Sequence, residues 1–408
     1  MSGMESPLRV LVLSDLHFCK SDSDHSWLVH DADNEMRIWS QLLELIDDKN
    51  ITADLIICPG DITTRACDES LQIAWKHLND LRVKLGAQVL ATATGNHDVV
   101  SRCSLDESPD QRIEQYLDLT ENLKLLDPPY PMSFSDVQAE SPEQIRVNYF
   151  GKDFVLYESS KYRIVVLNSC SRHRDDSVEY NRGSIGKAAL KWLEIELQEI
   201  DPRNSPKINI LVCHHHPIRH SEHNLGQFDQ MYDGDLLLEL LKRHGKWMII
   251  HGHKHHARLV YSQGGNHTVP IFAAGTFSSH KGALGPEFKN QIYLMNFQPA
   301  TKRALKGTIK VWDWDRDHGW IEGKRIESKV FSGVGFGFHG DIYELADQVE
   351  SKLTPFVEKP WEELQSEIPE LNYLVPGDYG ELFAELQTRS IETKLDSFKS
   401  LTGIKKVG

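Results

Sequence analysis

The sequence has few cysteines, no long apolar run and no surplus of positive charge. Its six cysteines, Cys19, Cys58, Cys67, Cys103, Cys170 and Cys213, include no C-x-x-C pair. That excludes a zinc ribbon and a thioredoxin-type redox motif. Cys58, Cys170 and Cys213 end apolar, strand-like stretches, where small buried thiols are common. All six are expected to be reduced, as in a cytoplasmic protein. No apolar run approaches the length of a membrane span. Leu8 to Leu13 is short, and Asp15 and His17 follow at once, so no secretory leader is expected. With 45 basic and 60 acidic side chains the net charge is −15. That disfavours a broad grip on nucleic acid, which needs clustered Lys and Arg, but leaves room for a local basic groove.

What is abundant is histidine, 20 residues in 408. They cluster: His214, His215, His216, His220 and His223 fall together, then His251, His253, His255 and His256. Each cluster follows a stretch that reads as a buried strand, which favours metal binding over a solvated polar loop.

The order of those strands gives the fold class. Leu8 to Leu13, Asp54 to Cys58 and Val89 to Thr94 read as central strands. Between them, Met36, Trp39, Leu42, Leu43 and Ile46, then Leu71, Ala74, Trp75, Leu78, Leu81 and Leu85, recur at helical spacing. This is a βαβαβ start to an α/β protein. Polar motifs sit at the C-terminal end of each strand, the edge where α/β sheets bind ligands. Residues 101–150 break the alternation. They are expected to form an insertion or cap, with one helix from Gln111 to Leu126 ended by Pro128, Pro129 and Pro131. Strands resume at Phe154 to Tyr157, Tyr162 to Asn168, Ile208 to Cys213, Trp247 to Ile250, Val269 to Ala274 and Gln291 to Phe297. Residues 307–314 alternate with period two, as an antiparallel strand should. The expected division is a main domain over 1–322, a Gly-rich linker over 323–340, and a helical C-terminal extension over 341–408. The extension is acidic at first and basic at its end, and it suits a homo-oligomer contact or a protein partner.

Five strand ends carry metal-type ligands: Asp15 and His17; Asp61; Asn96 and His97; His214 to His216; His253 and His255. Each alone is weak, but five in order form a set. Mixed Asp, His and Asn donors without thiolates suit Mn²⁺, Fe²⁺, Zn²⁺, Ni²⁺ or Co²⁺, manganese first, and not a structural zinc site. There are more donors than one ion needs, so two divalent ions bridged by a carboxylate are expected.

Asp15-Leu16-His17, Gly60-Asp61, Gly95-Asn96-His97-Asp98, His215 and Gly252-His253-Lys254-His255 resemble, in full and in order, the signature of calcineurin-like metallophosphoesterases. The resemblance runs from about residue 8 to 320 and takes in Asn168-Ser169 and Ala274-Gly275-Thr276. It implies a four-layer αββα sandwich, here with the C-terminal helical appendage outside it. It implies Asp15, His17 and His255 on one metal, Asn96, His215 and His253 on the other, and Asp61 bridging both. His215 is chosen because His216-Pro217 follows it, with His214 as the alternative. A hydroxide between the ions would attack phosphorus in line. His97 would act as general acid on the leaving oxygen, with Asp98 holding its ring. Arg65, Arg102, Arg172 and Arg174 are candidate phosphate clamps.

The resemblance leaves the ester open. The compact core is similar to the class III cyclic-nucleotide phosphodiesterase branch, so phosphodiester hydrolysis of nucleotide-type substrates is the leading expectation. A DNA or RNA nuclease working with a partner through the C-terminal helices is the alternative, followed by a protein or small-molecule phosphomonoesterase. A non-enzymatic scaffold is disfavoured because every motif position is filled. A cytoplasmic enzyme without a membrane association is expected.

Overall fold

A computed structural model describes residues 6–21, 26–30, 36–64, 66–99, 120–135, 141–171, 181–219, 230–262, 268–280, 289–299 and 305–407. The first half of the chain builds strands β1 (Leu8–Val12), β2 (Leu55–Cys58), β3 (Val89–Thr92), β4 (Met132–Phe134), β5 (Phe154–Glu158) and β6 (Tyr162–Leu167). Among them run helices α1 (Arg37–Lys49), α2 (Asp68–Lys84), α3 (Glu121–Lys124) and α4 (Pro142–Lys152). Then come α5 (Lys187–Ile200), β7 (Ile208–Val212), α6 (Gly234–Arg243), β8 (Trp247–His251), β9 (Arg258–Tyr261), β10 (Pro270–Ala273), β11 (Asn290–Phe297), β12 (Gly307–Asp315), β13 (Gly319–Glu322) and β14 (Gly335–Phe336). The chain closes with α7 (Ile342–Ser351), β15 (Glu358–Pro360), α8 (Trp361–Glu367), α9 (Pro376–Thr388), β16 (Ile391–Leu395) and β17 (Leu401–Lys406).

Two sheets face each other. One has the order β13-β12-β11-β1-β2-β3-β4, with β14 also on β12; the other is β5-β6-β7-β8-β10-β9. Their centres are parallel: β1, β2 and β3 in the first, and β6, β7, β8 and β10 in the second. These strands are buried throughout or nearly so, as Leu-Ile-Ile-Cys in β2 and Ile-Asn-Ile-Leu-Val in β7. Strands covered on both faces need such continuous apolar sequence. Side chains alternate between two cores. In β7, Ile208, Ile210 and Val212 join the large core that contains Val10, Val12 and Ile56. Leu211 and Cys213 join the smaller core with Leu193 and Leu197 of α5 and Leu237 and Leu241 of α6. The layers are therefore helix, sheet, sheet, helix, the expected sandwich.

Two regions differ from the sequence reading. In the insertion, residues 100–119 lie outside the described residues, so only a single turn, α3, stands where the end of a longer helix was expected. The remainder is structural: β4 extends the first sheet antiparallel to β3, and α4 leads into β5. The stretch 323–340 is not a bare linker. Val330, Phe331, Val334 and Phe336 are buried in the large core, and β14 pairs with β12. Glycines made it read as a spacer, whereas Gly335 lets backbone meet backbone: a Cβ there would stand 2.2 Å from the Asn372 carbonyl oxygen. Beyond it, α7, α8 and α9 carry a three-stranded antiparallel sheet, β15-β17-β16, which a purely helical reading omits. Trp361, Tyr379, Leu382 and Ile404 pack into the same large core. Among the described residues no helix is long and apolar enough to cross a membrane.

Candidate metal centre

The ligand-type residues sit just past the C-terminal ends of β1, β2, β3, β7 and β8. The chain must turn sharply there, and it does so at a cost. Asp15, His17, Asp61, His253 and His255 all have left-handed backbone, with φ of 54°, 51°, 52°, 87° and 59°. Non-glycine residues rarely adopt it, and five together mark a site where geometry is held against local preference. Backbone bonds tie the turns to one another: His17 N–H donates to Asp61 O at 3.0 Å and Gly252 N–H to His214 O at 3.1 Å. Gly95 is required for a different reason. A Cβ on it would lie 2.1 Å from Asp61 Oδ1.

Two groups of donor atoms result. In the first, Asp15, His17, Asp61 and His255 converge. His17 Nε2 lies 3.1 Å from His255 Nε2, His255 Nε2 lies 3.3 Å from Asp15 Oδ1, and His17 Nε2 lies 3.9 Å from Asp61 Oδ2. In the second, His214 Nε2 is 3.0 Å from Asn96 Oδ1, 3.2 Å from His253 Nδ1 and 3.3 Å from Asp61 Oδ2. His253 Nδ1 is 3.0 Å from Asn96 Oδ1. Asp61 Oδ2 therefore borders both groups, while Asp61 Oδ1 accepts the His97 N–H at 2.8 Å.

Outer contacts decide which ring nitrogen faces inward. His214 Nδ1 donates to the Pro59 carbonyl at 2.8 Å, leaving Nε2 for the centre. His253 Nε2 donates to the Asn181 carbonyl at 2.8 Å, leaving Nδ1. Ser279 Oγ meets His255 Nδ1 at 3.1 Å, and Ser14 Oγ donates to Asp15 Oδ2 at 2.5 Å. Such supports fix ligand orientation as firmly as the ligands fix a metal.

Charge follows burial and pairing. Burial holds His253 well below the usual imidazole range and pulls His17 down to about 3, so both rings are neutral at pH 7. Burial opposes ionisation of Asp61, but His214 and its neighbours outweigh it and hold the carboxyl well below the ordinary range. Burial likewise works against a charged His214, but Asp61 prevails and pushes it up to about 9. Neutral His253 gives its one proton to Asn181, so its Nδ1 lone pair faces the Asn96 oxygen at 3.0 Å. The donor set of imidazole, carboxylate and amide oxygen fits a borderline divalent ion.

The His triplet brings two rings to the second group. His214 faces Asn96 and Asp61, and the expected ligand His215 also offers a ring nitrogen within 4.8 Å of those of His214 and His253. His215 Nδ1 pairs with Ser169 Oγ at 2.8 Å, under Gly183, where a Cβ would come within 2.2 Å of that ring. Strand alternation explains it: Ile210, Val212 and His214 are in phase and face the gap between the sheets, whereas His215 is out of phase. Asp98 also differs. It braces the turns, accepting Thr63 N–H at 3.0 Å on Oδ1 and Gly95 N–H at 2.8 Å on Oδ2, and makes no bond to the His97 ring. That ring stands edge-on to His17 with centroids 5.0 Å apart. Arg65, Arg102, Arg172 and Arg174 lie outside the described residues. The sequence reading missed Ser14, Asn181 and Ser279, which carry no motif. It also missed Tyr149 of α4, whose hydroxyl accepts Thr94 N–H at 3.0 Å just before the Gly95 turn.

The family model of the calcineurin-like phosphoesterases matches residues 8–257, more than half of the 408 residues. No curated protein matches the chain. Among solved structures, Vacuolar Protein Sorting 29 from Cryptosporidium parvum is similar, with 13% identity and a TM-score of 0.32 over 78% of this chain and 96% of that one. The NAD nucleotidase of Haemophilus influenzae shows 12% identity and a TM-score of 0.37 over 78% of this chain and 53% of that one. A 5'-nucleotidase precursor from Thermus thermophilus shows 11% and 0.32 over 74% of this chain and 54% of that one. The chain thus spans about half the length of the two nucleotidases. Strand-end donors on two facing sheets and a family match that covers all of them lead to one conclusion: the chain belongs to the calcineurin-like phosphoesterases, metal-dependent hydrolases of phosphoric esters.

Proposed function

We propose that the protein hydrolyses phosphodiesters of nucleotide type, with one divalent cation held by Asp15, His17, Asp61 and His255 and a second by Asp61, Asn96, His214 and His253. The observation that carries this reading is the shared Asp61 Oδ2, which borders both donor groups. Two such cations, manganese first among them, would supply Lewis acidity, lowering the pKa of a water and offsetting charge on the phosphoryl oxygens.

The chain's own residues supply the rest. His97 delivers a proton to the leaving oxygen. Its backbone N–H is anchored on Asp61 Oδ1, so the acid is carried on the same turn as the ligand Asn96. Asp98 positions that turn by its two backbone bonds. His215 and Ser169 stiffen the loop next to His214. A net charge of −15 favours a diester, which brings one negative charge, over a monoester, which brings up to about two. The five described cysteines are free thiols, which supports a reducing, cytoplasmic setting.

A substrate panel with added Mn²⁺ tests the reading: bis-p-nitrophenyl phosphate, p-nitrophenyl phosphate, cyclic nucleotides, and single- and double-stranded DNA. Turnover of the diester and of cyclic nucleotides should exceed that of the monoester and of DNA. Faster cleavage of DNA or of the monoester would overturn the substrate assignment.

A further inference from the structure

The C-terminal sheet ends in two edge strands, β15 and β16, of which β16 is the longer. Strand β16 lies at its rim, and among the described residues β16 pairs only with β17. An edge of this kind presents unpaired N–H and C=O groups. The ladder shows which residues present them. Lys406 accepts Phe356 N–H with its carbonyl, on the β15 side. Ile391 stands opposite Lys406, so Ile391 turns its own backbone groups outward, and by alternation so does Thr393. The residues between point inward: Ser390 O accepts Val407 N–H, and Lys394 O accepts the Thr402 hydroxyl.

We propose that this edge pairs antiparallel with the same edge of a second copy of the chain, about a two-fold axis through Thr393. An isologous contact must be self-complementary, and Ile391-Glu392-Thr393-Lys394-Leu395 is so in this register. Thr393 meets Thr393 of the second copy with its outward-facing groups, as a hydrogen-bonded pair. Glu392 then faces Lys394 of the second copy, and Lys394 faces its Glu392. These are non-hydrogen-bonded positions, where cross-strand side chains approach closest and opposite charges attract. Within one chain Lys394 Nζ already donates to Glu392 at 2.8 Å. Both side chains therefore share a face, and the axis completes a ring of four alternating charges. Ile391 faces Leu395, which is 38% exposed in the single chain, with Phe398 at 75% just beyond it. Centring the axis on Glu392 or on Lys394 would set like charges face to face, which disfavours those two registers. The pairing is short, because the ladder shifts at Lys394/Leu395, and the dimer is weak and reversible.

Sedimentation velocity over a wide concentration range tests this, with turnover of bis-p-nitrophenyl phosphate as a check that each variant is folded. Wild-type protein should show a reversible monomer–dimer equilibrium. Lys394→Glu sets a carboxylate against Glu392 of the second copy, twice per dimer, and should raise the dissociation constant about tenfold. The exchange Glu392→Lys with Lys394→Glu restores opposite charges across the axis and should bring the dimer back. A wild-type monomer at every concentration, a dimer indifferent to Lys394→Glu, or a double variant as weak as the single one would each overturn the proposal. In those cases the charges serve only to keep the edge from pairing.

Discussion

The two sheets contribute unequally to the metal centre. The first brings every oxygen donor, Asp15, Asp61 and Asn96, together with His17. The second brings imidazoles alone, His214, His215, His253 and His255. Neither sheet completes a donor group: the cluster of Asp15, His17 and Asp61 needs His255, and Asn96 needs His214 and His253. The centre is therefore a property of the packing between the sheets. The core that Val12, Ile57, Val212 and Ile250 share also brings carboxylates of one sheet to imidazoles of the other. The pairing of anionic Asp61 with His214, pushed up to about 9, is the electrostatic form of that division.

The sharpest way to break this division is at the residue both groups share. Asp61→Asn removes the bridging charge and should lower kcat/KM by about 10⁴-fold, since several kcal/mol of charge stabilisation goes with it. It should also weaken both cation sites, read by elemental analysis. Next is His97→Ala, which leaves both donor groups whole. Turnover should fall by about 10²- to 10⁴-fold with cation content unchanged. Loss of cations would mean that His97 is a ligand and not the acid. Gly95→Ala is subtler. The added methyl meets Asp61 Oδ1 at 2.1 Å, and a shift of that carboxylate on the ångström scale should cost about 10²-fold in rate. Unchanged kinetics would show that the Asp61 turn yields freely.

The smallest effect is a proton count. His214 is pushed up to about 9 in the folded, cation-free chain, against an ordinary 6.5. Its pairing with Asp61 stabilises that state fully below about pH 6.5, and the contribution is lost as pH rises through about 9. A cation can take His214 only when the proton leaves. Cation uptake at pH 7 should therefore release about one proton per chain from this residue. Calorimetry in buffers of different ionisation enthalpy reads the number. No net release would mean that His214 is neutral before the cation arrives.

Much of this was legible in the sequence, and the reasons are physical. Parallel strands buried on both faces must be continuously apolar, so their ends could be found, and the candidate ligands lie just beyond those ends. Asp15, His17, Asp61 and His255 lie in one group of donor atoms and His253 in the other, with Asn96 Oδ1 3.0 Å from His253 Nδ1. Aligning the triplet on Pro217 singled out His215, whereas the structure brings both His214 and His215 to the second group. The alternation of Ile208, Ile210 and Val212 already pointed to His214. Asp98 looked like a partner for His97 because it is next in the chain. Its oxygens are taken by amides 35 and 3 residues away, at Thr63 and Gly95, and the longer-range contact is invisible to local pattern. The glycines of 323–340 suggested a spacer, and the structure uses one of them for close packing. The strands β15, β16 and β17 are short and rich in charge, so their period-two signal was lost beside the helices.

We propose that His214, facing Asn96 and Asp61, is the ligand the second cation cannot lose, whereas His215, in the same donor group, is dispensable. Metal content per chain after loading with Mn²⁺, measured on wild type, His214→Ala and His215→Ala, tests it most directly. Two cations in wild type, one in His214→Ala and two in His215→Ala are the predicted result. Two in His214→Ala with one in His215→Ala would contradict it.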